Sequence, residues 1–164
     1  MSDKPDLSFV KSFVFGQNMQ KLLLVINGPN LNLLGSREPQ IYGSATLADV
    51  EALCRTAAGE RGWACECRQS NHEGVLIDWI HEAGELLKAG RLAGVVLNAG
   101  AYTHTSIALH DAIKGTGVPL AEVHISDIHQ REPFRHHSYL TPVASVVVMG
   151  KGVSGYADAI RALP

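Results

Sequence analysis

From Lys21 onward the chain alternates two hydrophobic rhythms. Short unbroken apolar runs take turns with stretches whose apolar residues recur every three or four positions. The first kind predicts strands buried on both faces, the second amphipathic helices. The run over 22–26 stops at Asn27-Gly28-Pro29 and predicts the first strand. Thr46, with Asp49 three residues on, predicts a capped helix start, and Leu47, Val50, Leu53 and Ala57 then share one helical face up to Gly62. A second strand is expected over 64–68. Leu76, Trp79, Ile80, Ala83, Leu86 and Leu87 form a strong helical stripe. Further strands are expected over 94–97, 119–124 and 144–149. A helix carrying Ile107, Ala108, Ala112 and Ile113 is closed by Gly115 and Gly117. A last helix over 152–163 turns Val153, Tyr156, Ile160 and Leu163 inward.

Strands that alternate with helices and are apolar on both faces imply a parallel sheet covered on each side. The expected fold is α/β, a flavodoxin-like three-layer sandwich around a five-stranded parallel sheet of order 2-1-3-4-5. The 164 residues suit one domain, assigned to 21–164. Residues 1–20 read as a polar N-terminal extension with a small aromatic anchor. Lys11 and Ser12 interrupt any secretory apolar core, and Met19 is a candidate alternative start.

Composition narrows the function classes. Hydrophobic residues make up 46% and charged residues 18%, enough apolar material for a packed core. The formal net charge of −2 gives no electrostatic case for nucleic acid or an anionic membrane surface. No apolar run approaches the roughly 20 residues that cross a bilayer. Cys54, Cys65 and Cys67 contain no Cys-x-x-Cys pair and read as reduced thiols of a cytoplasmic protein, with Cys65 and Cys67 on one strand face.

Ligands of such sheets bind beyond the carboxyl ends of the strands, and the polar residues crowd there, over 27–42, 98–106 and 124–139. The first segment holds Asn30, Asn32, Arg37, Glu38 and Tyr42 between glycines that let it hinge as a lid. A cation beside a phenol stabilises the phenolate, which makes Tyr42 a candidate general base; a solvated loop with an Arg–Glu pair is the plainer alternative. In the second segment Gly100 permits a tight turn before a helix start. There Thr103, Thr105 and Ser106 are equally capping residues or ligand groups. Leading into the third, Glu122 and His124 lie two apart on a strand and face the same way. A carboxylate beside an imidazole fixes its tautomer, so His124 becomes a candidate general acid at the strand tip. Arg131, Arg135, His136 and His137 read as a solvated basic turn, with Arg135 alternatively holding a hydroxylated or carboxylated ligand.

Two motifs are discounted. Gly150-Lys-Gly-Val-Ser-Gly155 has dinucleotide-loop spacing, but no βαβ unit follows it; it reads as a turn and helix start. The eight histidines include no His-x-x-x-His or His-Glu-x-x-His pair, so metal binding would need convergence from distant segments.

Several segments together resemble type II 3-dehydroquinate dehydratase (3-dehydroquinase). They are Val25-Ile-Asn-Gly-Pro-Asn-Leu-Asn-Leu-Leu-Gly35, Arg37-Glu-Pro39 with Tyr42-Gly43, and Gln69-Ser-Asn-His-Glu-Gly74. Asn98-Ala-Gly-Ala-Tyr-Thr-His-Thr-Ser106, Glu122-Val-His-Ile-Ser126 and Arg131-Glu-Pro-Phe-Arg-His-His-Ser-Tyr139 complete the set. The resemblance runs from about Lys21 to the end. It implies reversible dehydration of 3-dehydroquinate to 3-dehydroshikimate through an enolate, without metal or organic cofactor, in the shikimate pathway of aromatic amino acid biosynthesis or in quinate catabolism. It further implies a homododecamer, a tetramer of trimers. By the same resemblance Tyr42 removes the proton next to the ketone, and Arg37 stabilises the tyrosinate. Asn30 helps hold the enolate oxygen, and His124, oriented by Glu122, protonates the leaving hydroxyl. Asn98, His104, Arg135 and the backbone at Ile125 and Ser126 would hold the substrate, and Asp111 would reach a neighbouring subunit's site. Ala99 and Asp127 depart from the family's frequent proline and asparagine. Of the lysines from Lys21 onward only Lys151 lies near a strand end, which disfavours a Schiff-base route. Two other classes remain as competitors: a metal-dependent hydrolase using the rim histidines, and a non-catalytic module binding flavin or phosphate.

Overall fold

The structure, a computed structural model, describes residues 19–36 and 38–164. The expected aromatic anchor of the extension and Arg37 therefore lie outside the described residues.

Strands β1 (Leu22–Asn27), β2 (Ala64–Gln69), β3 (Leu92–Asn98), β4 (Leu120–His124) and β5 (Val146–Met149) form one parallel sheet in the order β2-β1-β3-β4-β5. This is the expected topology. The helices are α1 (Pro39–Tyr42, a single turn), α2 (Leu47–Glu60), α3 (Glu73–Lys88), α4 (Ile107–Thr116) and α5 (Ser154–Ala162).

The unbroken apolar runs have a direct cause. Successive strand residues point to opposite faces, and both faces are covered. Leu23 and Val25 pack under α2 and α5 with Val50, Cys54, Tyr156 and Ile160. Leu24 and Ile26 pack under α3 and α4 with Leu76, Ile80, Leu109 and Ile113. Each fully buried aliphatic side chain among them contributes about 1.5–3 kcal/mol. The expected capping box opens α2. The Asp49 N–H donates to Thr46 Oγ1 at 3.2 Å and the Thr46 N–H to Asp49 Oδ2 at 2.8 Å, a pairing worth about 1 kcal/mol. Cys65 and Cys67 do share a face, with sulfurs 3.8 Å apart, and all three cysteines are free thiols.

Several segments depart in detail from the expected pattern: β5 starts at Val146 rather than at residue 144, α4 runs through Gly115 to Thr116, and two others differ more. The rim segment after β1 is not one continuous loop; it folds into a 3₁₀ turn at Leu31–Leu33 and then α1. The last helix starts at Ser154 rather than at residue 152, because Gly150 (φ 75°) and Gly152 (φ 61°) form a left-handed turn first. That turn packs on β4, where the N–H groups of Gly150 and Gly152 donate to the carbonyls of His124 and Ile125. The loops after β1 and β3 touch. A Cβ on Gly28 would lie 2.5 Å from the Ala99 carbonyl oxygen, so only glycine fits there. Among the described residues no helix is long and apolar enough to cross a membrane.

Candidate active site

Strand period places Glu122 and His124 on the α3–α4 face of β4, at its carboxyl end. Glu122 is completely buried, and a buried carboxylate is tolerated only when its oxygens are paired. Its Oε1 lies 2.7 Å from His124 Nε2 and accepts the Ser138 hydroxyl. Its Oε2 accepts the Thr141 hydroxyl at 2.7 Å. Burial alone would raise the Glu122 pKa; the three hydrogen bonds and the histidine's charge outweigh it and hold the group below the ordinary glutamate range. With Nε2 turned to the carboxylate, Nδ1 is the His124 nitrogen left for the cleft.

Tyr42 ends α1 on the other side of the opening. Its hydroxyl oxygen accepts from Arg131 Nη1 at 3.0 Å, and the same nitrogen reaches Ser126 Oγ at 3.2 Å. The guanidinium carbon lies 5.7 Å from the Tyr42 ring centre. The expected solvated basic turn is thus corrected at Arg131, whose side chain is 13% exposed and spans the cleft wall. Glu38 precedes α1 in the left-handed region at φ 40°, with Pro39 as the first helical residue.

Asn30 also adopts a left-handed conformation, at φ 67°. Its N–H donates to Asn71 Oδ1 at 3.0 Å, and Asn71 is held in turn by Gln69 Nε2 and, through its carbonyl, by the Tyr102 hydroxyl. The loop between β2 and α3 therefore sets the Asn30 backbone. Asn98, at the end of β3, donates from Nδ2 to the Tyr156 hydroxyl at 2.9 Å. His104 Nδ1 lies 2.8 Å from the His137 carbonyl, which requires that nitrogen to carry the proton. Burial lowers the His104 pKa against the pull of that carbonyl, so the ring stays neutral and Nε2 is an acceptor. Arg135 pairs with Glu132 at 3.1 Å.

These groups enclose one cleft of about 200 Å³ at the carboxyl ends of β1, β3 and β4. Asn30, Tyr42, Asn98, His104, His124 and Arg135 line it, and so do Ile125 and Ser126. Glu122 stands behind His124 rather than in the wall. Asp111 does not line the cleft; it is exposed on α4. Ser106, left open by sequence between capping and ligand roles, caps α4 by accepting from the Leu109 N–H at 2.9 Å. Sequence reasoning missed Asn71, Ser138, Thr141 and Arg131 as parts of the site. Asn71, Arg131 and Ser138 sit inside recognisable segments, but none of the four follows a strand or helix period.

A cleft with a cation-paired phenol on one wall and a carboxylate-paired imidazole on another has the chemistry to move protons on a polar organic substrate. The model of the class II dehydroquinase family matches residues 21–164, and the chain belongs to that family. It is 66% identical over 143 residues to the 3-dehydroquinate dehydratase of Variovorax paradoxus (strain S110), covering 87% of this chain and 98% of that protein. It is 67% identical over 145 residues to the 3-dehydroquinate dehydratase of Acidovorax sp. (strain JS42), covering 88% and 98%. Among solved structures it resembles the type II dehydroquinase from Butyrivibrio crossotus, with a TM-score of 0.81 and 42% identity over 87% of this chain and 96% of that one.

Proposed function

We propose that residues 21–164 are a single catalytic domain that dehydrates 3-dehydroquinate to 3-dehydroshikimate, with Tyr42 as base and His124 as acid. The family and the named relatives support the reaction. The single observation that carries the residue assignment is the shared cleft. Tyr42, paired with a guanidinium, and His124, paired with a buried carboxylate, open on the same 200 Å³ volume.

The chemistry sets two demands. A proton next to a ketone is weakly acidic, so the base must be made stronger and the enolate must be held. Arg131 stabilises negative charge on the Tyr42 oxygen, sharing with Arg37 the task that resemblance gave to Arg37 alone. Asn30, at the left-handed turn, helps hold the enolate oxygen through water. The leaving hydroxyl then needs a proton as its C–O bond breaks. His124 supplies it from Nδ1 while Glu122 compensates the imidazolium charge from behind. Asn98, His104, Arg135 and the Ile125–Ser126 backbone hold the substrate's carboxylate and hydroxyls. His104, neutral with Nε2 unprotonated, accepts from a hydroxyl, and Arg135 donates to a carboxylate. No step calls for a metal or organic cofactor.

The decisive assay follows ultraviolet absorbance of the conjugated enone that dehydration of a β-hydroxyketone creates. Tyr42→Phe should lower kcat about 10²–10⁴-fold with KM and unfolding midpoint close to the parent values. Near-normal turnover in that variant removes Tyr42 from the base role.

The same reading gives a cytoplasmic enzyme of aromatic biosynthesis or quinate catabolism, assembled as a homododecamer in which Asp111 completes a neighbour's site. Support for the assembly is the exposure of Asp111 outside its own cleft together with Ile107 and Phe134, which are 56% and 71% exposed. Light scattering at the mass of twelve chains tests it, and a monomer at working concentration defeats it.

A further inference from the structure

Tyr156 is completely buried on α5, and the mechanism above does not use it. Its ring lies in the apolar layer between the sheet and α2–α5, while its hydroxyl sits at the ends of β1 and β3. Gly155 makes this reach possible. A Cβ there would stand 3.2 Å from Val148, so the glycine brings the helix start close against the sheet. The phenol lands between Asn27 and Asn98, which are register partners on adjacent strands. It donates to Asn27 Oδ1 at 2.6 Å and accepts from Asn98 Nδ2 at 2.9 Å.

The direction of every bond follows from one backbone group. The Gly100 N–H donates to Asn98 Oδ1 at 3.2 Å, so the amide oxygen of Asn98 faces Gly100 and its nitrogen faces the phenol. A phenol carries one proton. Because Asn98 already offers it a donor, that proton must go to Asn27 Oδ1. Burial pushes the Tyr156 hydroxyl well above the usual phenol value, so it keeps the proton. The Asn98 amide nitrogen has two hydrogens, and the phenol takes one. Asn98 also lines the cleft.

We propose that Tyr156 is a positioning residue for substrate binding: by taking one N–H of Asn98 it fixes the other N–H as a donor presented to a substrate hydroxyl or carboxylate oxygen. Asn27 serves the same end, since it receives the phenol's proton and keeps the phenol oxygen turned to Asn98. Without the phenol, the Asn98 amide is tied only through its oxygen and loses its fixed donor direction. The inference rests on the reading that Asn98 holds substrate.

The test is a double-mutant cycle with steady-state kinetics on Tyr156→Phe, Asn98→Ala and the pair. Tyr156→Phe keeps the ring and removes only the hydroxyl. It should raise KM about tenfold, the scale of one lost hydrogen bond, while kcat stays within about threefold and the pH profile is unchanged. Asn98→Ala should raise KM by itself, and adding Tyr156→Phe to it should raise KM no further. An equal KM factor in both backgrounds overturns the proposal, because Tyr156 then acts without Asn98. An unchanged KM in Tyr156→Phe, beside a raised one in Asn98→Ala, also overturns it and leaves the substrate-binding reading intact. An unchanged KM in Asn98→Ala overturns that reading and the proposal with it. Asn27→Ala is the second variant should Tyr156→Phe fold poorly. It leaves the phenol in place without its acceptor and should also raise KM only when Asn98 is present; a rise independent of Asn98 overturns the proposal.

Discussion

The two walls of the cleft to which the proposed function gives the acid and the base are built from different material. His124 and Glu122 are strand residues in the middle of a covered sheet, and three side-chain hydrogen bonds leave the glutamate no other arrangement. Tyr42 ends a single helical turn entered through a left-handed glutamate, and Arg131 comes to it from 89 residues along the chain. The acid wall inherits its geometry from the sheet. The base wall is assembled by contacts between loops. Under the proposed roles, a site divided in this way takes its acid from the sheet and its base from contacts between loops.

Substitutions sharpen that contrast in order of size. His124→Ala deletes the acid from a rigid frame, so kcat should fall about 10²–10⁴-fold with little change in KM. A loss below tenfold would mean that another group protonates the leaving hydroxyl. Arg131→Met keeps length and removes charge from the loop-built wall. It should lower kcat about 10–100-fold, and, because Arg131 also ties Ser126 to α1, it should raise KM as well. If KM stays constant, the base wall is as rigid as the acid wall and the comparison fails.

The smallest effect is on stability and comes from Glu122. Its folded pKa lies below its unfolded one, so the unfolded state binds more protons on acidification. The stabilisation is present above the unfolded value near 4.3 and is lost as pH falls through the folded value. Denaturant titrations from pH 7 down to pH 3 should therefore show the parent losing more stability than Glu122→Gln. Parallel losses would show that the carboxylate is not held charged by its neighbours.

The legible parts of the site are those that obey a period. Strand alternation put Glu122 and His124 on one face, and the apolar runs with their intervening helices yielded the sheet order. Ser138 and Thr141 escaped notice because they come from an irregular stretch whose partners lie 16 and 19 residues back. Arg131 read as a solvated turn because a pairing across 89 residues has no local signature. Tyr156 was legible as an inward helix residue, but the target of its hydroxyl depends on how closely a glycine lets the helix sit. The motif resemblance supplied what no period could, the proposed roles of Asn30, Asn98 and Arg135.

Glu122 and His124 face the α3–α4 layer, whereas Asn27, Asn98 and Tyr156 face the α2–α5 layer. The sheet is thus a partition between a carboxylate–imidazole pair and a neutral hydrogen-bonded trio. Under the proposed roles, a cavity opened beneath α5 would act first on the Asn98 donor, and a cavity beneath α4 first on the His124–Glu122 pair. Under those roles, drift in one hydrophobic layer would bear on affinity before it reached the acid on the other side.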